Sequence, residues 1–125
     1  MKRIFTLMIM AVALFAINNV QASTIERKSP DNKIYFNNDE EVEGSSKERY
    51  RIHWDANEEV CITVTGDGDT DLDLYIFDEY DNLVAADKDY TDKCICNLTV
   101  ERSGEYTIVV VNCGTFVNYY NLNIF

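Results

Sequence analysis

The sequence predicts an all-β protein, an antiparallel β-sandwich of seven to eight short strands. Three observations predict it. Apolar and polar residues alternate through most of the chain after residue 46, as in Tyr50-Arg51-Ile52-His53-Trp54 and Val60-Cys61-Ile62-Thr63-Val64, which is the period of a strand with one buried face. Turn-forming residues interrupt this alternation about every ten residues. No stretch after residue 22 sustains a helical period.

The expected strands are Arg49–Trp54, Glu59–Thr65, Asp71–Phe77, Leu83–Ala86, Cys94–Val100, Glu105–Asn112 and Asn118–Ile124. Asp55-Ala56-Asn57, Gly66-Asp67-Gly68, Tyr80-Asp81-Asn82, Arg102-Ser103-Gly104 and Gly114-Thr115 separate them, and each carries residues that tolerate tight turns. The alternation assigns to the core Tyr50, Ile52, Trp54, Val60, Ile62, Val64, Leu72, Leu74, Ile76, Leu98, Val100, Tyr106, Ile108, Val110, Tyr120 and Leu122. Burying each contributes about 1.5–3 kcal/mol.

The N-terminus reads as a targeting segment. Lys2 and Arg3 precede an apolar run from Ile4 to Ile17, broken by Thr6, and Val20-Gln21-Ala22 supplies the small residues of a cleavage site, so residues 1–22 are expected to be a signal peptide removed after Ala22. The run is too short to cross the roughly 30 Å hydrocarbon core as a helix. Ser23, not a cysteine, stands directly after the cleavage point, which argues against a lipid anchor. The expected location is outside the cytoplasm: secreted, periplasmic or at the cell surface. Residues 23–46 are polar, with Pro30 and the run Asp39-Glu40-Glu41. They read as a flexible N-terminal segment holding one short strand candidate, Lys33–Asn37. Residues 47–125 form the folded domain.

The chain has 11 basic and 22 acidic residues, a net charge of −11. That balance excludes nucleic acid as a partner, because a phosphate backbone needs a basic face. It leaves three readings: simple solubility, a bound cation, or a basic partner. Four cysteines, Cys61, Cys94, Cys96 and Cys113, allow three disulfide pairings in an exported chain. Zinc is disfavoured, because Cys94-Ile95-Cys96 lacks ligand spacing and His53 is the sole histidine. Alternation places Cys61 and Cys113 on outward faces, so a Cys61–Cys113 disulfide is expected. Cys94 and Cys96 face inward with Leu98 and stay reduced. An Asn-Leu-Thr glycosylation acceptor at Asn97 lies inside an expected strand, where such acceptors are seldom used.

The most informative stretch is Gly66-Asp67-Gly68-Asp69-Thr70-Asp71-Leu72-Asp73-Leu74. Asp67, Asp69 and Asp71 match the opening ligands of an EF-hand loop, but Leu72 stands where that loop needs glycine and the segment runs on as a strand. A non-EF calcium site built from Asp67, Asp69, Asp71, Asp73, Asp87 and Asp89 is the functional reading, and Asp92 lies on the same neighbouring loop. Against it stands the plain reading that these carboxylates solvate an outer face and accept backbone hydrogen bonds. Tyr75, Phe77, Tyr80, Tyr90, Phe116 and Tyr119 are the outward aromatic candidates for a binding surface, against ordinary strand packing. His53 has no evident nucleophile, and Asp71 and Asp73 form a carboxylate pair without a deep cleft, so no enzyme is expected.

Residues 47–125 resemble the bacterial pre-peptidase C-terminal (PPC) domain. The likeness is carried by Tyr50-Arg51-Ile52-His53-Trp54, by Asp69-Thr70-Asp71-Leu72-Asp73-Leu74-Tyr75-Ile76-Phe77-Asp78 with Asn82-Leu83-Val84-Ala85, and by Gly104-Glu105-Tyr106-Thr107-Ile108-Val109-Val110 with Asn118-Tyr119-Tyr120. The resemblance implies a jelly-roll-like sandwich. It implies a non-catalytic accessory module of secreted hydrolases that aids secretion or holds an enzyme on extracellular protein or polysaccharide, with calcium bound in some relatives. The alternatives are an inhibitor-like protein partner of a secreted peptidase, acting in trans, and a structural surface component. Where the family commonly has Asn-Gly, this chain has Tyr80-Asp81-Asn82, so an Asp or Asn must take the left-handed turn conformation.

Overall fold

Nine strands make two facing sheets. In the computed structural model, which describes residues 22–26 and 36–125, they are β1 (Ser23–Ile25), β2 (Phe36–Val42), β3 (Lys47–Trp54), β4 (Glu59–Thr65), β5 (Leu72–Phe77), β6 (Leu83–Asp87), β7 (Lys93–Thr99), β8 (Gly104–Asn112) and β9 (Asn118–Ile124). Among the described residues there is no helix. The first sheet has the order β1-β3-β8-β5-β6 and the second β2-β9-β4-β7. From β2 to β9 this is a jelly roll, two sheets that exchange successive strands except at the β5–β6 hairpin. All pairings are antiparallel except the short parallel β1–β3 contact. Residues 1–21 of the expected signal peptide, and Lys33 to Tyr35 of the expected early strand, lie outside the described residues.

The alternation explains the layers. In β5 the burial pattern is a strict in–out repeat, with Leu72, Leu74 and Ile76 at 0 % exposure. The expected core residues fill the space between the sheets, with Leu98 at its margin. Ile25, Val42, Cys94, Cys96 and Ile124 join them. The Trp54 and Tyr106 rings pack with centroids 5.1 Å apart, and the Tyr106 hydroxyl donates to the Arg102 carbonyl at 2.7 Å, anchoring the connection into β8. Polar bonds also cross between the layers. The hydroxyls of Tyr50 on β3 and Tyr120 on β9 meet at 2.5 Å, and the Cys94 thiol of β7 donates to the Leu72 carbonyl of β5. At the β5–β6 turn Asp81 takes the left-handed conformation, φ 62°. Asp78 holds that turn by accepting the Tyr80 and Asn82 backbone N–H groups at 2.9 Å each.

Two sequence expectations need correction. Asp39, Glu40 and Glu41, expected within a flexible segment, lie in β2, paired along its length with β9. Edge pairing supplies backbone hydrogen bonds to a strand with little apolar content. The Cys61–Cys113 disulfide does not form, and all four cysteines carry free thiols. Cys61 lies in β4 of one sheet, while Cys113 follows β8 of the other. Their outward faces therefore look away from each other across the sandwich, and no disulfide spans that distance.

Burial pushes the Cys94 thiol from its ordinary 9.0 up to about 12 and Cys96 up to about 11, with nearby Asp87 adding to both. Burial likewise lifts Tyr50 from 10.0 to about 12. Above about pH 9 the unfolded chain releases protons that the folded chain keeps, so stability that is whole below pH 9 is lost as pH climbs through the folded values. The melting temperature is expected to fall steadily from about pH 9 to pH 11, and less steeply in a Cys94→Ala/Cys96→Ala variant. Identical slopes for the two proteins would show that the buried thiols are not the cause.

Candidate functional site

One end of the sandwich gathers four connections. The β2–β3 turn touches the β8–β9 loop, where the Ser45 N–H donates to the Gly114 carbonyl at 2.8 Å. The β4–β5 loop meets the β6–β7 loop through Gly66 N–H to the Asp92 carbonyl, 2.9 Å, and Leu72 N–H to the Thr91 carbonyl, 3.2 Å. The Cys113 N–H donates to the Asp71 carbonyl at 2.9 Å. Each loop is therefore tied to its neighbour by main-chain bonds.

Three buried polar side chains lock this end: Asn112, Asn118 and Asp92, at 1, 0 and 8 % exposure. The Asn118 amide donates to Thr70 Oγ1 at 3.0 Å and to Asp92 Oδ2 at 3.2 Å, while its carbonyl accepts the Asp67 N–H at 3.2 Å. Asp92 Oδ2 also accepts the Gly68 N–H at 2.5 Å. Asn112 donates to the Val42 and Phe116 carbonyls and accepts the Gly114 N–H. Sequence reading passed over all three as pins. Their signal is phase: Asn112 continues Ile108 and Val110, and Asn118 leads Tyr120 and Leu122, so each amide stands at an inward position. Gly66 permits the crowding, because a Cβ there would sit 2.2 Å from Asp92 Oδ2 and 2.6 Å from Asn118 Oδ1.

The six proposed calcium ligands divide. Asp67 accepts the Asp69 and Tyr119 N–H groups at 3.0 Å each, which holds its carboxyl below the usual range. Asp89 accepts the Thr91 N–H and hydroxyl and is likewise lowered. Asp87 accepts the Ile95 N–H at 2.9 Å. These three carboxylates serve the backbone, and Asp69 is exposed at the loop tip. Asp71 and Asp73 come together with Cys113, their ligand atoms within 4.8 Å of one another. Asp73 accepts from the Tyr75 hydroxyl at 3.3 Å and the Cys113 thiol at 3.4 Å. Asp71 Oδ1 is buried without a hydrogen-bond partner. Burial first, then the charges of Asp73, Asp89 and Asp92, raise its carboxyl above the usual value.

The aromatic candidates fall in four places. Tyr90 on the β6–β7 loop is 97 % exposed and Phe116 on the β8–β9 loop 72 % exposed, both at the pinned end. Tyr119 lines an open groove of about 520 Å³ with Asp39, Glu41 and Asp67 on the outer side of the second sheet. Tyr80 lies at the opposite end, under the Arg102 guanidinium at 5.1 Å. Tyr75 and Phe77 lie side by side on the outer face of the first sheet, centroids 6.4 Å apart and planes 20° apart. His53 is a surface residue with Nε2 3.3 Å from Asp55 Oδ1.

No family model matches the sequence, and no curated protein matches it. Solved structures do. The pre-peptidase C-terminal domain of collagenase from Bacillus anthracis superimposes with a TM-score of 0.63 at 14 % identity, covering 84 % of this chain and 95 % of that one. The fold is that of a PPC domain. Two PliG proteins, periplasmic lysozyme inhibitors of g-type lysozyme, share it. The one from Aeromonas hydrophila gives a TM-score of 0.60 at 12 % identity, covering 83 % of this chain and 96 % of that one. The one from Salmonella Typhimurium gives 0.58 at 15 %, with the same coverage. The same fold thus occurs in a domain of a collagenase and in periplasmic lysozyme inhibitors.

In this PPC-type sandwich the loop end depends on Asn118. Asn118→Ala is expected to cost about 2–3 kcal/mol in chemical denaturation, because it strips one of the two N–H donors from Asp92 Oδ2 and leaves the Asp67 N–H without its acceptor. Asn118→Asp is expected to cost more at neutral pH, through repulsion with Asp92, and to recover in acid. Wild-type stability in both variants would show that the loops hold without the pin.

Proposed function

We propose that this chain is a non-catalytic binding module of the exported space that captures a basic extracytoplasmic protein with its acidic loop end, in the manner of an enzyme inhibitor. One observation carries the reading. Tyr90 stands almost fully and Phe116 largely in solvent, on loops that are fixed from below by buried Asn112, Asn118 and Asp92. Exposed aromatic side chains on rigid loops bind with little ordering cost, and aromatics dominate protein–protein hot spots. The surrounding Asp67, Asp69 and Asp89 and the overall charge of −11 favour a basic partner and speed its encounter. The occurrence of lysozyme inhibitors on the same fold supports the class of partner. Attachment of the module to a secreted peptidase in trans is the accessory form of the same reading, supported by the collagenase domain. Catalysis finds no support, since the grooves are open and His53 sits on the surface beside Asp55.

The test is titration of g-type lysozyme with the purified module, followed by residual activity and by calorimetry. Inhibition with a salt-sensitive affinity is expected, weakened about tenfold or more by Tyr90→Ala/Phe116→Ala. No complex with lysozyme, or with secreted peptidases screened alongside it, would overturn the proposal.

A second reading concerns a cation. The partnerless Asp71 Oδ1, held among Asp73, Asp89 and Asp92, favours calcium bridging Asp71 and Asp73, with loop carbonyls completing an oxygen shell. The Cys113 thiol is too soft to contribute to calcium. Millimolar calcium is expected to raise the melting temperature of the wild type and to leave Asp71→Asn unmoved. Equal behaviour of both proteins in calcium and in chelator would remove the cation from the account.

A further inference from the structure

The outer face of the first sheet does not follow the rule for a solvated sheet surface. Its outward residues should be polar, yet β8 presents Val109 and Val111 there, between β3 and β5. Val109 is 6 % exposed, but it is not part of the core cluster between the sheets. It is buried from the outside, in an open groove of about 510 Å³. The register gives the walls. Val109 lies between Arg49 of β3 and Tyr75 of β5, and Thr107 between Arg51 and Phe77. Lys47 sits opposite Val111. One wall is therefore a row of cations and the other is the Tyr75–Phe77 ring pair.

This basic row is anomalous in the chain. With twice as many acidic as basic residues overall, β3 places Lys47, Arg49, Arg51 and His53 on one face by strict alternation. Arg51 is engaged by Glu105 at 3.8 Å. Among the described residues, no carboxylate pairs with Lys47 or Arg49. The cations are spaced roughly 6.7 Å apart along the strand, and the ring wall is two strand spacings away, about 9.5 Å.

We infer that this groove binds an acidic polysaccharide, with sugar rings stacked on Tyr75 and Phe77 and carboxylates on Lys47 and Arg49. Two features select this occupant. The floor strand β8 is paired on both sides, so its backbone groups are spent and an extended peptide has no edge to join. Recognition must come from side chains. A uronic-acid polymer presents apolar ring faces and anionic groups together, which matches a wall of rings facing a wall of cations. Asp81 at the groove rim accepts from sugar hydroxyls. This surface is separate from the loop end, so its test stands or falls independently of the lysozyme experiment.

The experiment measures binding of the full chain to polygalacturonate, with a neutral glucan and polyglutamate as comparison polymers. Saturable, salt-sensitive binding to polygalacturonate alone is expected. Lys47→Glu/Arg49→Glu is expected to weaken it about tenfold or more, and Tyr75→Ala/Phe77→Ala to weaken it similarly. Lys88→Glu/Lys93→Glu, which changes the net charge equally but lies off the groove, is expected to leave it unchanged. Melting curves confirm that each variant is folded, and Phe77→Tyr, which keeps a ring, is expected to retain binding if the alanine pair fails to fold. Equal loss in the Lys88/Lys93 variant, equal affinity for polyglutamate, or absence of polygalacturonate binding would each overturn the assignment.

Discussion

A fully buried amide has to find partners, and Asn118 finds them in two different loops. Its carbonyl accepts from Asp67, and its amide group donates to Thr70 and Asp92. Leaving any of these groups unpaired in the interior costs on the order of 1–3 kcal/mol. The β4–β5 loop, the β6–β7 loop and the start of β9 therefore share one conformation or lose it together. Gly66 is the steric condition for this arrangement, because no side chain fits between it and Asp92. Asn112 repeats the device on the other side of the same end, holding the Val42 and Phe116 carbonyls. What the loops display to solvent is thus set by what they bury beneath.

The same alternation that revealed the strands explains why parts of the site could not be read from it. Period-two patterning identifies strands because a core face must be apolar, and the expected inward residues from Tyr50 to Leu122 do line the core. β2 escapes that logic. Its run Asn37-Asn38-Asp39-Glu40-Glu41 carries no apolar residue, and its place is fixed by main-chain pairing with β9. The cysteine pairing failed for a related reason. Alternation tells inside from outside but not which sheet a strand joins, and Cys61 and Cys113 point outward from opposite layers. Among the acidic residues, composition marked the loop but not the division of labour. Asp67, Asp87 and Asp89 turn to backbone N–H groups, whereas Asp71 keeps a buried oxygen without a partner. Asp89 and Asp67 make their i+2 turns locally, but the Asp67 bond to Tyr119 N–H joins segments far apart in sequence, which no local pattern encodes. The Asn residues standing in apolar phase were the one legible sign of it.

Charge is distributed between the layers with equal economy. The outer side of the second sheet carries Asp39 and Glu41 beside Tyr119 and Asn121, with Asn121 bonded to Asn37 and Asp39. The outer side of the first sheet carries the β3 cations and the Val109–Tyr75–Phe77 floor. Glu48 shows the boundary between them. Burial, then repulsion from Glu40, Glu41 and Glu43, raises its carboxyl above the ordinary value, which marks the acidic side as already crowded with charge. Placing further anions there would cost more of the same repulsion.

This asymmetry follows from the jelly-roll order itself. Apart from the β5–β6 hairpin, successive strands alternate between the layers, so β2 with its acidic residues enters one sheet and β3 with its basic residues enters the other. Two adjacent segments of opposite charge, which in a simple hairpin would neutralise each other across one surface, are instead presented on opposite faces. A small sandwich without a cleft cannot concentrate groups in a cavity. It can expose different chemistry on its two faces and at its pinned loop end, and the described residues are divided in that way.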